Sequence, residues 1–136
     1  MSRVILRAIV VWLLIIALET VHGILRSAFL APLVGDFTAR QIAVGTGSAL
    51  IFLITLQTIL WIQASTQQQL ILVGLIWVTL TIVFEIGLGR LILGLSWDRL
   101  IEDYDISRGG LLGLGLLFMV MSPRLAASVR CRPRST

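Results

Sequence analysis

An all-α membrane protein with four transmembrane helices is the fold class this sequence predicts, and three observations predict it. Hydrophobic residues make up 57% of the 136 residues and charged residues only 13%, where a soluble domain carries about a quarter charged. Four apolar runs approach the roughly 20 residues needed to cross a hydrocarbon core. The polar residues gather between those runs. Glu85 to Gly115 alone holds five of the seven acids and three of the eleven arginines.

The first helix is expected over about 4–25. MSRVILRAIVVWLLIIAL has the basic-then-apolar pattern of a secretory signal, but the following Glu-Thr-Val-His-Gly lacks the small residues of a cleavage site, so a retained signal-anchor is expected. Eighteen residues, Ala8 to Leu25, lie between Arg7 and Arg26, a helix of roughly 27 Å. Ser27 to Gln41, with its Pro and Gly-Asp pair, is too short to cross and too apolar to float free, which predicts a segment along the interface. Helix two is expected over 42–62. Its Ala43/Gly47 and Gly45/Ala49 pairs have the small-xxx-small spacing that lets helices approach closely in lipid.

The uncharged stretch Gln63 to Gln69 predicts a turn, and helix three should follow over 70–89. Beyond it, Trp97, Leu100, Ile101 and Tyr104 fall at i, i+3, i+4 and i+7, which predicts a short interfacial helix over 97–105. Helix four is expected over 109–128, with Gly109/Gly113 as a further small pair. The tail 129–136 reads as basic and disordered. The whole chain is expected to form a single membrane domain.

A fainter copy of the Glu85–Gly115 pattern occupies Glu19 to Gly47. Glu19 and Gly23 answer Glu85 and Gly89 at an offset of 66, and Asp36-Phe37 answers Asp103-Tyr104 at 67. The expectation is two tandem two-helix units related by a pseudo-twofold axis along the membrane normal. Six arginines and no acids lie near the two termini, against five arginines mixed with acids in the hinges. By the positive-inside rule both termini should be cytoplasmic.

All eleven positive charges are arginine, and the isoelectric point is near 11.0. Because the arginines sit at the ends of apolar runs, the lipid bilayer and acidic side chains are the expected partners, and nucleic acid is not. One cysteine and one histidine cannot build a structural zinc site, so neither metal nor cofactor is expected.

Glu19, His22 and Arg26 share one face of helix one at i, i+3 and i+7, and Glu85 holds the corresponding place on helix three. Ionisable groups at that depth should face the bundle and find partners. Two readings follow for this intramembrane polar cluster. The glutamates pair structurally with Arg26, Arg90 or a hinge arginine, or they handle a proton or cation with His22 as relay. The hinge charges Asp36, Arg40, Asp98, Arg99, Asp103 and Arg108 read as a solvated, self-paired surface on the outer face. In that reading Asp98, Glu102 and Asp105 share a face while Asp103 turns away. Gly45, Gly47, Gly109 and Gly113 read as helix-packing positions. No nucleophile–base motif suggests a catalytic residue, and an enzyme is the less expected class.

Four short helices with a glutamate in the first are similar to small multidrug-resistance transporters, although the pattern around that glutamate is missing and the charged hinge is foreign to them. Over more of the chain, ETVHGILR, VGDFTARQ, FEIGLGR and SWDRL resemble an uncharacterised family of small four-helix bacterial inner-membrane proteins. That resemblance implies a fold and a location and supplies no activity. The functional expectation is a non-enzymatic structural or accessory module, self-associating or held in a larger membrane complex. A small proton- or cation-coupled transporter or channel using Glu19 and Glu85 is the alternative.

Overall fold

Among the described residues every regular element is helical: α1 (Ser2–Leu25), α2 (Ala31–Val34), α3 (Asp36–Ile62), α4 (Gln67–Gly87), α5 (Trp97–Tyr104) and α6 (Leu112–Arg130). The computed structural model describes residues 2–130, and for Arg108 the backbone alone. The expected tail lies outside the described residues from Cys131 onward. Four continuous spans are long and apolar enough to cross a membrane: Ser2–Val34, Asp36–Ile62, Gln67–Ile92 and Leu112–Arg130. At 1.5 Å per residue the 33-residue first span reaches roughly 50 Å, well beyond one hydrocarbon core. Its C-terminal part packs on α3.

The stretch 27–41, expected as an interfacial segment, is helical at every residue but one. The chain stays helical through a π turn (Arg26–Leu30) into α2 and breaks at a single residue, Gly35, whose φ is +89°. The physical reason is local. A widened turn lets a proline, here Pro32 in the first turn of α2, sit in a continuing helix. Only glycine takes the following backbone angle without strain. Asp36 then opens α3, its charge favourable at a helix N-terminus. A second π turn (Leu88–Ile92) follows α4. Thr66 caps α4 by accepting from the Gln69 amide, and Ser96 caps α5 by accepting from Arg99.

The helices alternate in direction. Helix α1 packs on α3 and α4, and α6 packs on the same two, which sets α1 across the bundle from α6. The parallel pairs α1/α4 and α3/α6 are thus neighbours. A twofold axis along the normal exchanging two tandem units would instead set each pair across a diagonal, so the arrangement does not follow the expected pseudo-symmetry. The core is densest toward the termini. There Trp77 of α4 is fully buried and donates from Nε1 to the Ala8 carbonyl of α1 at 2.8 Å. One turn on, Trp12 Nε1 donates to Thr81 Oγ1 at 3.0 Å. Such bonds satisfy indole donors that would otherwise be stranded in an apolar interior.

The glycine faces differ from expectation. Gly109, with φ +85°, ends a 3-10 turn (Ile106–Arg108) and lies outside α6, so it forms no helical pair with Gly113. A Cβ on Gly113 would meet only the Tyr104 carbonyl oxygen at 3.9 Å, and one on Gly45 would meet nothing within 4 Å. Close approaches occur at Gly74, which was not expected, and at Gly47, which was. A Cβ on Gly74 would lie 2.9 Å from Val120 Cα, and one on Gly47 2.9 Å from Glu19 Oε2. Spacing alone marks small residues, and the rotation of each helix decides which of them a neighbour touches.

Candidate functional site

The end of the bundle away from the termini carries all seven acidic residues, in two layers. The outer layer is an ion network joining the start of α3 to α5. Arg40, whose side chain is only 11% exposed, reaches Asp36 at 3.0 Å, Glu102 at 3.5 Å and Asp103 in a close pair. Arg99 completes it with contacts to Asp103 at 2.9 Å and Asp36 at 3.7 Å. Asp103, expected to turn away, pairs with both arginines of this network. Helix α5 packs against the bundle on that face, which the periodicity of α5 alone does not reveal. Asp98 is exposed in the first turn of α5, and the side chain of Arg108 lies outside the described residues.

Two residues absent from the expected site hold the layer in place. Gln41 donates from Nε2 to the Gly109 carbonyl at 2.7 Å. Gly110 lets the loop backbone settle onto α5, since a Cβ there would lie 2.6 Å from the Asp103 carbonyl carbon. The Gly109-Gly110 pair, next to the positive-φ position, was the sequence signal available for this contact.

The inner layer holds the two glutamates. His22 lies 3.6 Å from Glu19 Oε2 through Nδ1, and its Nε2 is 2.7 Å from Thr46 Oγ1 across the α1/α3 seam. Glu19 Oε1 is buried without a hydrogen bond. The Glu19 carboxyl lies against Gly47. Glu85 projects from α4 into the same region, where it and Glu19 line a cavity of about 70 Å³ with Ser48 and Thr81. The two carboxyls are close enough for their charges to act on each other. Glu85 also lines a second cavity of about 130 Å³, bounded by Arg26, Arg40, Gln41 and Asp103. This residue therefore joins the outer layer to the inner one.

The expected pairs of these glutamates with Arg26 and Arg90 do not form, and neither do pairs with Arg40 or Arg99. Among the described residues, no arginine nitrogen comes within 4.0 Å of a Glu19 or Glu85 oxygen. Each nearby arginine is held elsewhere or stands off. Arg90, five residues past Glu85 and so about 140° round the helix, donates to the Leu95 carbonyl at 2.9 Å and stacks over Trp97 at 4.9 Å. Arg40 is engaged by three carboxylates. Arg26 faces the larger cavity, its Nε buried without an acceptor.

Tyr104, at the end of α5, belongs to the same region. Burial pushes its phenol up to about 12, with the neighbouring Glu85 and Asp103 charges adding to the shift. It stays protonated at any working pH and offers a donor beside two carboxylates. Its hydroxyl is buried without a hydrogen-bond partner. No group of three or more metal-ligating side chains gathers among the described residues.

Gly47 gives a first prediction. In Gly47→Ala the new methyl meets only the mobile end of Glu19, so the carboxyl moves while the helices keep their spacing. Thermal stability should fall by no more than about 1 kcal/mol. Any activity that depends on Glu19 should drop as in Glu19→Gln. Loss of fold in Gly47→Ala would show that the α1/α3 contact is tighter than a side-chain tip.

Comparison with family models, with curated proteins and with solved structures returns no match for this chain.

Proposed function

We propose that this chain is a small proton- or cation-coupled membrane transporter or channel, with Glu19 and Glu85 as the pair of groups that takes up and releases the ion. The observation that carries this reading is their placement, two carboxyls sharing one cavity inside the bundle and, among the described side chains, no arginine paired to either. Carboxylates at that depth are expensive to maintain unless they are matched or used. Structural matching by arginine, the main bland explanation, is not supported here. His22, between Glu19 and Thr46, is positioned to relay a proton along the α1/α3 seam.

A second reading, an accessory module in a larger membrane assembly, is favoured by one observation. Toward the termini the core is an apolar cluster that includes Val4, Ala8, Val11, Ile15, Ile54 and Trp77. Among the described residues the buried polar side chains of the bundle are the hydroxyls of Thr55, Thr81 and Ser122, and none of them is ionisable.

Reconstitution into liposomes with an internal pH dye distinguishes the two. Wild type should dissipate an imposed proton or sodium gradient faster than protein-free vesicles. Glu19→Gln and Glu85→Gln should each reduce that rate at least about tenfold, the effect expected of a group essential to proton transfer, while melting like wild type. Wild type no faster than empty vesicles would sink the transporter reading and favour the module. Native mass spectrometry would then look for the partner.

The location and orientation are part of the same proposal: a bacterial inner membrane, with both termini and Ser65 in the cytoplasm. Arginine asymmetry supports it. In a Cys131→Ser background, Ser65→Cys should react with an impermeant maleimide only after cells are opened. Labelling in intact cells would reverse the orientation.

A further inference from the structure

We infer that the larger cavity at the hinge end binds a small zwitterion, an ammonium linked through a few bonds to a carboxylate or phosphate, with Arg26 holding the anionic group and Glu85 the ammonium. The cavity contains about 130 Å³. A cavity of about 150 Å³ takes a benzene molecule, so there is room for a ligand of roughly five to seven heavy atoms.

The assignment of charges follows by elimination around the wall. Arg40 and Asp103 are committed to each other and to their other ion-pair partners. The Gln41 amide is engaged by the Gly109 carbonyl. Two charged side chains remain. Arg26 makes no hydrogen bond or ion pair among the described residues, and its Nε is shielded from solvent. Glu85 likewise has no hydrogen-bonding or ion-pairing partner there. They do not pair with each other, and both line this one cavity.

A simple anion would meet Glu85 and Asp103 in this cavity, and a simple cation would meet Arg26 and Arg40. A molecule carrying both charges matches both ends and screens neither wrongly. The guanidinium fork suits a planar carboxylate or a phosphate in two-point contact. The Phe37, Val44 and Leu112 walls suit the short apolar link between the two charges. Such a ligand could be the phosphoethanolamine head of a phospholipid or a free amino-acid-like zwitterion, since both present this chemistry.

This goes beyond the carboxylate-pair reading, with which it shares only Glu85, and it is measured as binding rather than flux. The purified full chain in detergent is titrated with free phosphoethanolamine, glycine and 4-aminobutyrate by calorimetry. In parallel it is exposed to short-chain phosphatidylethanolamine and phosphatidylglycerol and examined by native mass spectrometry. At least one zwitterion should bind, and ethanolamine or phosphate alone should bind at least tenfold more weakly. Retention of phosphatidylethanolamine over phosphatidylglycerol with no free zwitterion bound assigns the site to lipid; the reverse assigns it to a free solute.

Arg26→Gln and Glu85→Gln should each weaken the zwitterion at least tenfold. Arg90→Gln, at the same end but outside the cavity, should leave binding unchanged. Glu19→Gln should abolish proton-coupled flux while leaving zwitterion binding within twofold, so the two readings fail separately. If neither cavity variant folds, selectivity on wild type decides. Equal binding of ethanolamine, phosphate and the zwitterions, or binding of none, overturns the inference.

Discussion

Replacing Gly74 with alanine is expected to part α4 from α6 and to lower stability by on the order of 1–3 kcal/mol, the range seen when a packed interior is overfilled. The added Cβ would lie 2.9 Å from Val120 Cα and 3.0 Å from its carbonyl carbon, and closer still to its oxygen. These are backbone atoms, so no rotamer change relieves the overlap and one helix must move. Gly45→Ala is the matching control, because a Cβ there meets nothing within 4 Å. It removes a helix-interior glycine without a clash and should be neutral or slightly stabilising. Thermal unfolding of both variants in the same detergent is the measurement. Equal destabilisation would mean that α4 and α6 are not in contact at this point.

The second large effect is expected from Arg40→Ala. Arg40 is the cation shared by Asp36, Glu102 and Asp103, and Arg99 alone cannot balance three acids. Removing one member of a buried charge cluster costs about 3–5 kcal/mol when the rest stays dry. Here the carboxylate side chains are 25–58% exposed, and solvent screening reduces the expected loss to roughly 1–3 kcal/mol. Arg40→Lys keeps the charge and loses the fork that reaches several acids at once, so it should recover part of that loss. Arg99→Ala should cost less than Arg40→Ala. The local signature is release of α5, visible as faster amide exchange over Trp97–Tyr104. Wild-type exchange there in Arg40→Ala would show that apolar packing, not the ion network, seats the helix.

How much of this was legible in the sequence depends on the kind of signal. The four apolar helices follow from composition and run length, because lipid requires each crossing to satisfy its own backbone within the segment. The short helix at 97–105 was legible from periodicity, and its observed bounds are Trp97–Tyr104. Glu19 and Glu85 were recognisable as groups that must face the bundle, since an unmatched charge is costly in hydrocarbon. None of these inferences needs knowledge of a neighbouring helix.

Partner choice did need it. Whether Glu19 meets an arginine or another carboxylate depends on the rotation of α1 against α3 and α4, and no single-helix period encodes that angle. Asp103 joins the network because the pose of α5 brings it, together with Glu102, to Arg40 of α3. Gly74 sits unremarked in an apolar run, and only the approach of Val120 makes its missing side chain matter. Local sequence, through backbone satisfaction and hydrophobic run length, determined the helices and the residues unlikely to be left in lipid. The tertiary structure decided which of those residues meet, because contacts between helices depend on rotation and depth that are fixed only when all four pack together.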